Sequence, residues 1–282
     1  MPELPEVETV RRGIESRALG RRIESVEVGR ERSVRRVGRE AVIHGLTGST
    51  MTAVHRRGKY LLCDLDTGDR MMIHLRMSGR VLMARVGEER PPHTHVVLTL
   101  GDAGGGVDEM RFVDPRTFGE VVVYDPRDTG AVLPELLRLG VDPIVDHFDA
   151  SVLRERLAGR RGAMKSVLLD QRVVAGIGNI YADEILHRVR LRWDRRVESL
   201  RPAVVARLAR TIVEVLTAAI EAGGSTLGDT QYVDVDGSVG SFQDEHFVYG
   251  REGLPCRTCG KSLIRRVMVA GRSASYCPRC QR

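Results

Sequence analysis

A proline at position 2 with two carboxylates close behind it, in Met1-Pro2-Glu3-Leu4-Pro5-Glu6, is the first group in this chain whose residue types could do chemistry. With Met1 removed, Pro2 carries a free secondary amine. Such an amine attacks an aldehyde-like carbon and gives an iminium that has no N–H proton to lose, a persistent electron sink. That sink suits splitting a sugar from a base and then eliminating phosphate. Glu3 and Glu6 put carboxylates beside it. A terminus frays unless the residues after it are tied down, so the amine needs a packed element directly behind it.

A second constellation is Cys256-x2-Cys259-x17-Cys277-x2-Cys280. Two paired-cysteine knuckles at this separation match a tetrahedral four-thiolate Zn²⁺ site, structural because no ligand position stays open. The alternative is a pair of disulfides. The odd fifth cysteine, Cys63, and an N-terminus without a basic or apolar leader both point instead to a reducing compartment. Cys63 itself sits in the apolar run Tyr60-Leu61-Leu62-Cys63 and reads as a small buried hydrophobe. Between the knuckles, Leu263–Tyr276 reads as a β-hairpin turning at Ala270-Gly271. A third candidate is Gly176-Ile177-Gly178-Asn179, which places an N-cap asparagine at a helix start. Free N–H groups there bind anions such as phosphate, or simply begin an ordinary capped helix.

The elements that must hold these groups can be read from periodicity. Leu4, Val7, Val10, Ile14 and Ala18 form a helical stripe, with Pro5 in the first turn and Gly20 as a stop. The terminal amine therefore precedes a packed helix. From Arg22 to Tyr124 short β-rich runs follow: Ile23–Val28, Thr50–Arg56, Tyr60–Leu65, Met71–Leu75, Val96–Leu100 and Glu120–Tyr124. Their regular spacing predicts an antiparallel β-sandwich or barrel. Thr67-Gly68-Asp69 is a hairpin turn and Asp102–Val107 a glycine-rich loop. Beyond Asp125 helical patterns return, with short helices near Leu133–Leu139, Val152–Leu157 and Lys165–Gln171. A long helix is predicted over Pro202–Ala222, and Ser225–Glu245 reads as a long loop. At 282 residues, 42% of them hydrophobic and without an apolar run of membrane length, the chain suits a soluble protein of more than one domain. The formal charge is +6, and from Arg251 to Arg282 eight Lys/Arg face one acid, Glu252. That balance fits a polyanion partner or a well-solvated surface.

Taken in order, Met1-Pro2-Glu3-Leu4-Pro5-Glu6-Val7-Glu8-Thr9, the segment Asp170–Glu184 and the terminal four-cysteine hairpin closely resemble the formamidopyrimidine-DNA glycosylase family of base-excision repair enzymes. The resemblance covers essentially the whole chain. It implies an α+β multidomain fold: an N-terminal helix with a β-sandwich over 1–125, a helical domain with a helix-two-turn-helix over 126–249, and a zinc-finger β-hairpin over 250–282. It implies Pro2 as nucleophile toward the sugar C1′, Glu3 as acid/base group and Glu6 as a carboxylate ordering the site. By the same resemblance Lys59 assists β-elimination, and Arg272 assists δ-elimination while clasping phosphate. Met77, Arg116 and Phe118 resemble the residues that fill the gap left by a flipped nucleotide. Lys165 and Asn179 look like phosphate binders, and His93 matches a DNA-contact position.

The implied partner is damaged double-stranded DNA, the cofactor one structural Zn²⁺, and the setting a monomer in the bacterial cytoplasm with no membrane. Oxidised purines are the implied substrates. An endonuclease VIII-like enzyme for oxidised pyrimidines and a non-catalytic zinc-dependent DNA binder are the competing readings.

Overall fold

The computed structural model describes residues 1–102, 108–228, 232–269 and 271–282. They form two compact units, Met1–Arg138 with Ala222–Ser241, and Leu139–Glu221 with Phe242–Arg282.

The first unit begins with helix α1 (Leu4–Ala18). Leu4, Val7, Val10 and Ile14 are all fully buried. Each such side chain contributes roughly 1.5–3 kcal/mol by burial, and packing of this stripe ties down the residues ahead of it, which would otherwise fray. Strand β1 (Ile23–Val28), helix α2 (Arg39–Leu46) and strands β2 (Met51–Arg57), β3 (Tyr60–Leu65), β4 (Arg70–His74), β5 (Arg80–Arg85), β6 (Thr94–Leu100), β7 (Asp108–Val113) and β8 (Glu120–Tyr124) follow. They make two antiparallel four-stranded sheets, ordered β1-β6-β7-β5 and β2-β3-β4-β8. Val26, Val96, Leu98 and Phe112 of one sheet share an apolar core with Val54, Leu61, Ile73 and Val121 of the other, and α1 joins that core through Val7, Val10 and Ile14. Gly68, with φ +90°, makes the expected β3–β4 turn. Short helices α3 (Thr129–Val132) and α4 (Pro134–Leu137) close this part of the unit.

The second unit holds α5 (Ala150–Leu157), α6 (Met164–Leu168), α7 (Asn179–Val189) and α8 (Pro202–Glu221). Val205, Leu208, Ile212, Val215, Leu216 and Ala219 of α8 are buried as a stripe. The chain then passes through Gly223 and Gly224, both at positive φ. The hairpin β9 (Arg265–Val269) and β10 (Arg272–Tyr276) is antiparallel, with Arg272 opposite Val269.

Several expectations shift. Strands β5 and β7 and helix α2 lie inside the β-rich stretch, outside the six runs named for it. Asn179 is the first residue of α7 and Gly178 its N-cap, one position earlier than expected. The Asp102–Val107 loop beyond its first residue, Ala270 of the hairpin turn, and residues 229–231 of the Ser225–Glu245 loop fall outside the described residues. Among those described, no helix is long and apolar enough to cross a membrane.

Candidate active site and nucleic-acid interface

Pro2 is buried directly ahead of α1. Glu3 and Glu6 beside it are only 2% and 1% exposed. They are held by a capping box: Glu3 is the N-cap of α1, and its backbone N–H donates to Glu6 Oε2 at 2.7 Å. Such a box satisfies N–H groups that a helix start leaves open. The other oxygen, Glu6 Oε1, accepts the Ser225 N–H at 2.8 Å. Gly224 makes that approach possible. It sits at φ +80°, and a Cβ there would lie 2.9 Å from Glu6 Cγ. The chain therefore fixes both carboxylates behind Pro2 with backbone amides, one of them supplied from far along the sequence.

Lys59 follows Gly58, which turns at φ +57° between β2 and β3. It is 6% exposed, and its charge helps hold the buried His74 imidazole well below its usual range, after burial itself and Arg76. His74 Nδ1 accordingly accepts the Arg76 backbone N–H at 2.9 Å, as a neutral ring does.

Met77, His93, Arg116 and Phe118 come from three separate loops that meet on one residue the sequence did not single out, Asp114. This carboxylate is fully buried. Oδ1 accepts Ser78 Oγ–H at 2.5 Å and the Arg116 N–H at 3.3 Å, while Oδ2 accepts the Gly119 N–H at 2.7 Å. Its own N–H donates to the His93 carbonyl, and its carbonyl is 2.9 Å from His95 Nε2. Held from beneath in this way, Met77 and Phe118 stay 36% and 41% exposed. The Arg116 guanidinium lies over the Phe118 ring, 5.3 Å from its centroid, a cation–π stack. An apolar wedge, an aromatic ring and a cation are thus presented together on pre-ordered loops.

The second unit carries the remaining candidates. Lys165 is 4% exposed, and its ammonium bridges Asp183 Oδ1 and the Ser273 carbonyl, each at 2.6 Å. Asp183 Oδ2 accepts the Ser275 N–H, and Asn179 Nδ2 donates to Ser273 Oγ at 3.2 Å. Burial pushes the Asp183 carboxyl up, and the Lys165 ammonium pulls against it. Lys165 and Asn179 therefore meet on β10, one residue from the exposed Arg272. A cavity of about 300 Å³ opens here, lined by Lys165, Asp170, Trp193, Arg272 and Ser273 among others. Glu184, also fully buried, accepts the N–H groups of Phe247, Val248 and Tyr249 and anchors the entry to the hairpin region. Asp183 and Glu184 were legible only as polar members of a helix.

The sulfur atoms of Cys256, Cys259, Cys277 and Cys280 all lie within 4.8 Å of one another. Cys256 and Cys280 are 3.9 Å apart, as are Cys259 and Cys277. A tetrahedral zinc with Zn–S near 2.3 Å requires S···S edges of about 3.8 Å, so this cluster fits one structural Zn²⁺. Cys63 stands apart, buried in the sandwich core.

Residues 1–121 match the family described as formamidopyrimidine-DNA glycosylase N-terminal domain, residues 139–231 the corresponding H2TH domain, and residues 253–282 a zinc finger found in FPG and IleRS. A formamidopyrimidine-DNA glycosylase from Cereibacter sphaeroides is 45% identical over 291 residues, and one from Corynebacterium jeikeium 42% over 294, with both chains covered in full in each case. Among solved structures, the Lactococcus lactis Fpg complex with abasic-site DNA has a TM-score of 0.88 at 36% identity, covering 99% of both chains. The complex of the same species' FPG (MutM) with Fapy-dG DNA gives 0.88 and 36%, covering 99% of this chain and 100% of that one.

Proposed function

Because the chain belongs to the formamidopyrimidine-DNA glycosylase family, we propose that it excises oxidised purines, 8-oxoguanine and formamidopyrimidines, from duplex DNA and then cleaves the abasic strand. With Met1 removed, the free Pro2 nitrogen attacks C1′ of the flipped nucleotide. The C1′–N bond to the base breaks, and the base leaves with a proton delivered at the site. Glu3 assists opening of the sugar ring at O4′, and C1′ becomes an iminium on Pro2. That sink accepts the electron pair released when a C2′ proton is removed, and the resulting enamine expels the 3′ phosphate by β-elimination to leave a conjugated iminium. Loss of a C4′ proton into that iminium then expels the 5′ phosphate by δ-elimination. Lys59 and Arg272 stabilise the leaving phosphates. For Arg272 this is an electrostatic role, since a guanidinium keeps its proton near neutral pH.

The observation that carries this reading is the buried pair of carboxylates, Glu3 and Glu6, clamped by backbone N–H groups directly behind Pro2. Met77 and Phe118 fill the vacated stack, and Arg116 hydrogen-bonds the orphaned cytosine. Lys165, Asn179 and His93 serve the DNA backbone, with Lys165 acting through β10. We place the reaction in the bacterial cytoplasm, in keeping with the bacterial relatives.

Borohydride trapping on a duplex containing 8-oxoguanine opposite cytosine tests the proposal. It should yield a covalent adduct that peptide mapping places on Pro2. Strand cleavage that proceeds with no trapped adduct would overturn the iminium route, and faster turnover of an oxidised-pyrimidine duplex would overturn the substrate assignment.

A further inference from the structure

His187 has no part in the chemistry above, yet it is 3% exposed and points its ring at the metal site. Its Nε2 lies 3.7 Å from Cys256 Sγ, within hydrogen-bond reach for sulfur, and 3.4 Å from Thr258 Oγ1. The opposite nitrogen, Nδ1, is buried without a hydrogen-bond partner among the described residues. The ring is stacked on Phe247, with centroids 5.4 Å apart and planes inclined by 27°, so its orientation is fixed by packing. A neutral imidazole carries one proton, and the nitrogen with acceptors in front of it is the one that keeps it. Cys256 is 1% exposed. Four thiolates around Zn²⁺ leave a net charge of about −2 on the cluster, and a sulfur removed from water can spread its share only onto donors the protein supplies.

We propose that His187 is an outer-sphere donor to the zinc site: its Nε2–H donates to the Cys256 thiolate, slowing both zinc release and electrophilic attack on that sulfur. This goes beyond the assignment of the four cysteines as ligands and rests on it. The donor comes from α7, so the same helix that starts at Asn179 and carries Asp183 onto β10 also secures the metal. Zinc retention is thereby tied to helix packing and not only to the two knuckles.

The test uses the full chain as purified with zinc, whose stoichiometry is measured first. His187→Phe keeps a ring to stack on Phe247 and removes the N–H. His187→Gln and His187→Met form a second pair of nearly equal length, of which only Gln retains a donor. Zinc transfer to excess EDTA, followed with a chromogenic indicator, should be about tenfold faster in His187→Phe and His187→Met than in the parent, as for loss of other outer-shell partners. It should return close to the parent rate in His187→Gln. Alkylation of Cys256 by iodoacetamide, read by mass spectrometry, should follow the same order. Equal release rates across parent, Phe, Gln and Met variants of unchanged far-ultraviolet dichroism would overturn the proposal, as would a Gln variant no better than Met if the Phe variant does not fold. Absence of stoichiometric zinc from the parent would instead overturn the metal assignment itself.

Discussion

Removing the ammonium of Lys165 is the sharpest test of how the second unit is held together. The pair with Asp183 spans 2.6 Å, with side chains 5% and 1% exposed. Lys165→Met fills similar space but leaves a buried carboxylate with one backbone donor, Ser275 N–H. Breaking a buried pair from one side costs about 3–5 kcal/mol, which for a unit of this size is a melting-point drop on the order of 10–20 °C. The pH dependence carries the diagnosis. Burial already raises the Asp183 carboxyl, and Lys165 is the main group opposing that rise. Without it the folded pKa moves further above the unfolded value of about 3.9. Between those two values the folded state binds more protons than the unfolded one, so stability falls as pH rises through the window and is restored below it. Thermal unfolding at pH 5 and pH 8 should therefore show a markedly smaller deficit at pH 5. The double variant Lys165→Met/Asp183→Asn, which removes the orphaned charge, should recover most of the loss at pH 8. A deficit independent of pH, or a double variant no better than the single one, would refute the reasoning.

Asp114→Ala takes the acceptor from Ser78 Oγ and the Gly119 N–H and leaves the Arg116 N–H with Ser78 Oγ alone, which costs on the order of 3 kcal/mol. Excision from duplex DNA should fall at least tenfold because Met77, Arg116 and Phe118 lose their common anchor, whereas cleavage of a single-stranded abasic oligonucleotide should fall much less; equal losses on both substrates would count against a wedge role. Withdrawing zinc with a chelator should disorder β9 and β10 and weaken DNA binding in a gel-shift titration, because the metal supplies folding energy to the hairpin; unchanged affinity after confirmed metal loss would sink that role for Arg272. Burial pushes the Cys63 thiol up to about 12, so iodoacetamide at pH 8 should leave Cys63 unmodified in the folded protein and label it after denaturation. Modification of the folded chain at Cys63 would show that the sandwich core opens far more readily than its packing implies.

What the sequence could reveal tracks the range over which each feature is encoded. The apolar stripes of α1 and α8 are local repeats, and both helices lie where periodicity puts them. Strand β7 was hidden by Arg111, which is 2% exposed and lies on a strand where alternation would demand an apolar residue or an outward charge. Its guanidinium is satisfied by Glu109 and by the carbonyls of Glu88 and Glu89, partners that no window on β7 contains in full. Helix α2 was missed because it is a single short element of eight residues with only Val42 and Leu46 fully buried. Its Gly45, a poor helix former, is required by contact: a Cβ there would come within 2.7 Å of Val123. Tertiary packing overrode propensity at that position.

The same distinction explains why the candidate site was legible as a motif and not as a geometry. Residue types at positions 2, 3 and 6 suggest an amine and two acids, but nothing local says that Glu6 is ligated by a backbone amide 219 residues away. The segment Ala222–Ser241 belongs to the same compact unit as α1, and Tyr232 and Val235 within it join the sandwich core. This segment read as a polar loop, and its density of glycine hid its structural task. Gly223 and Gly224 at positive φ turn the chain off α8, and the absence of a Cβ at Gly224 lets the backbone reach Glu6. A carboxylate fixed by two N–H donors cannot swing to the nucleophile unless one of those bonds is released. Glu6 is therefore better suited to hold Glu3 and the 224–225 backbone in register than to exchange protons itself, which fits the acid/base role proposed for Glu3.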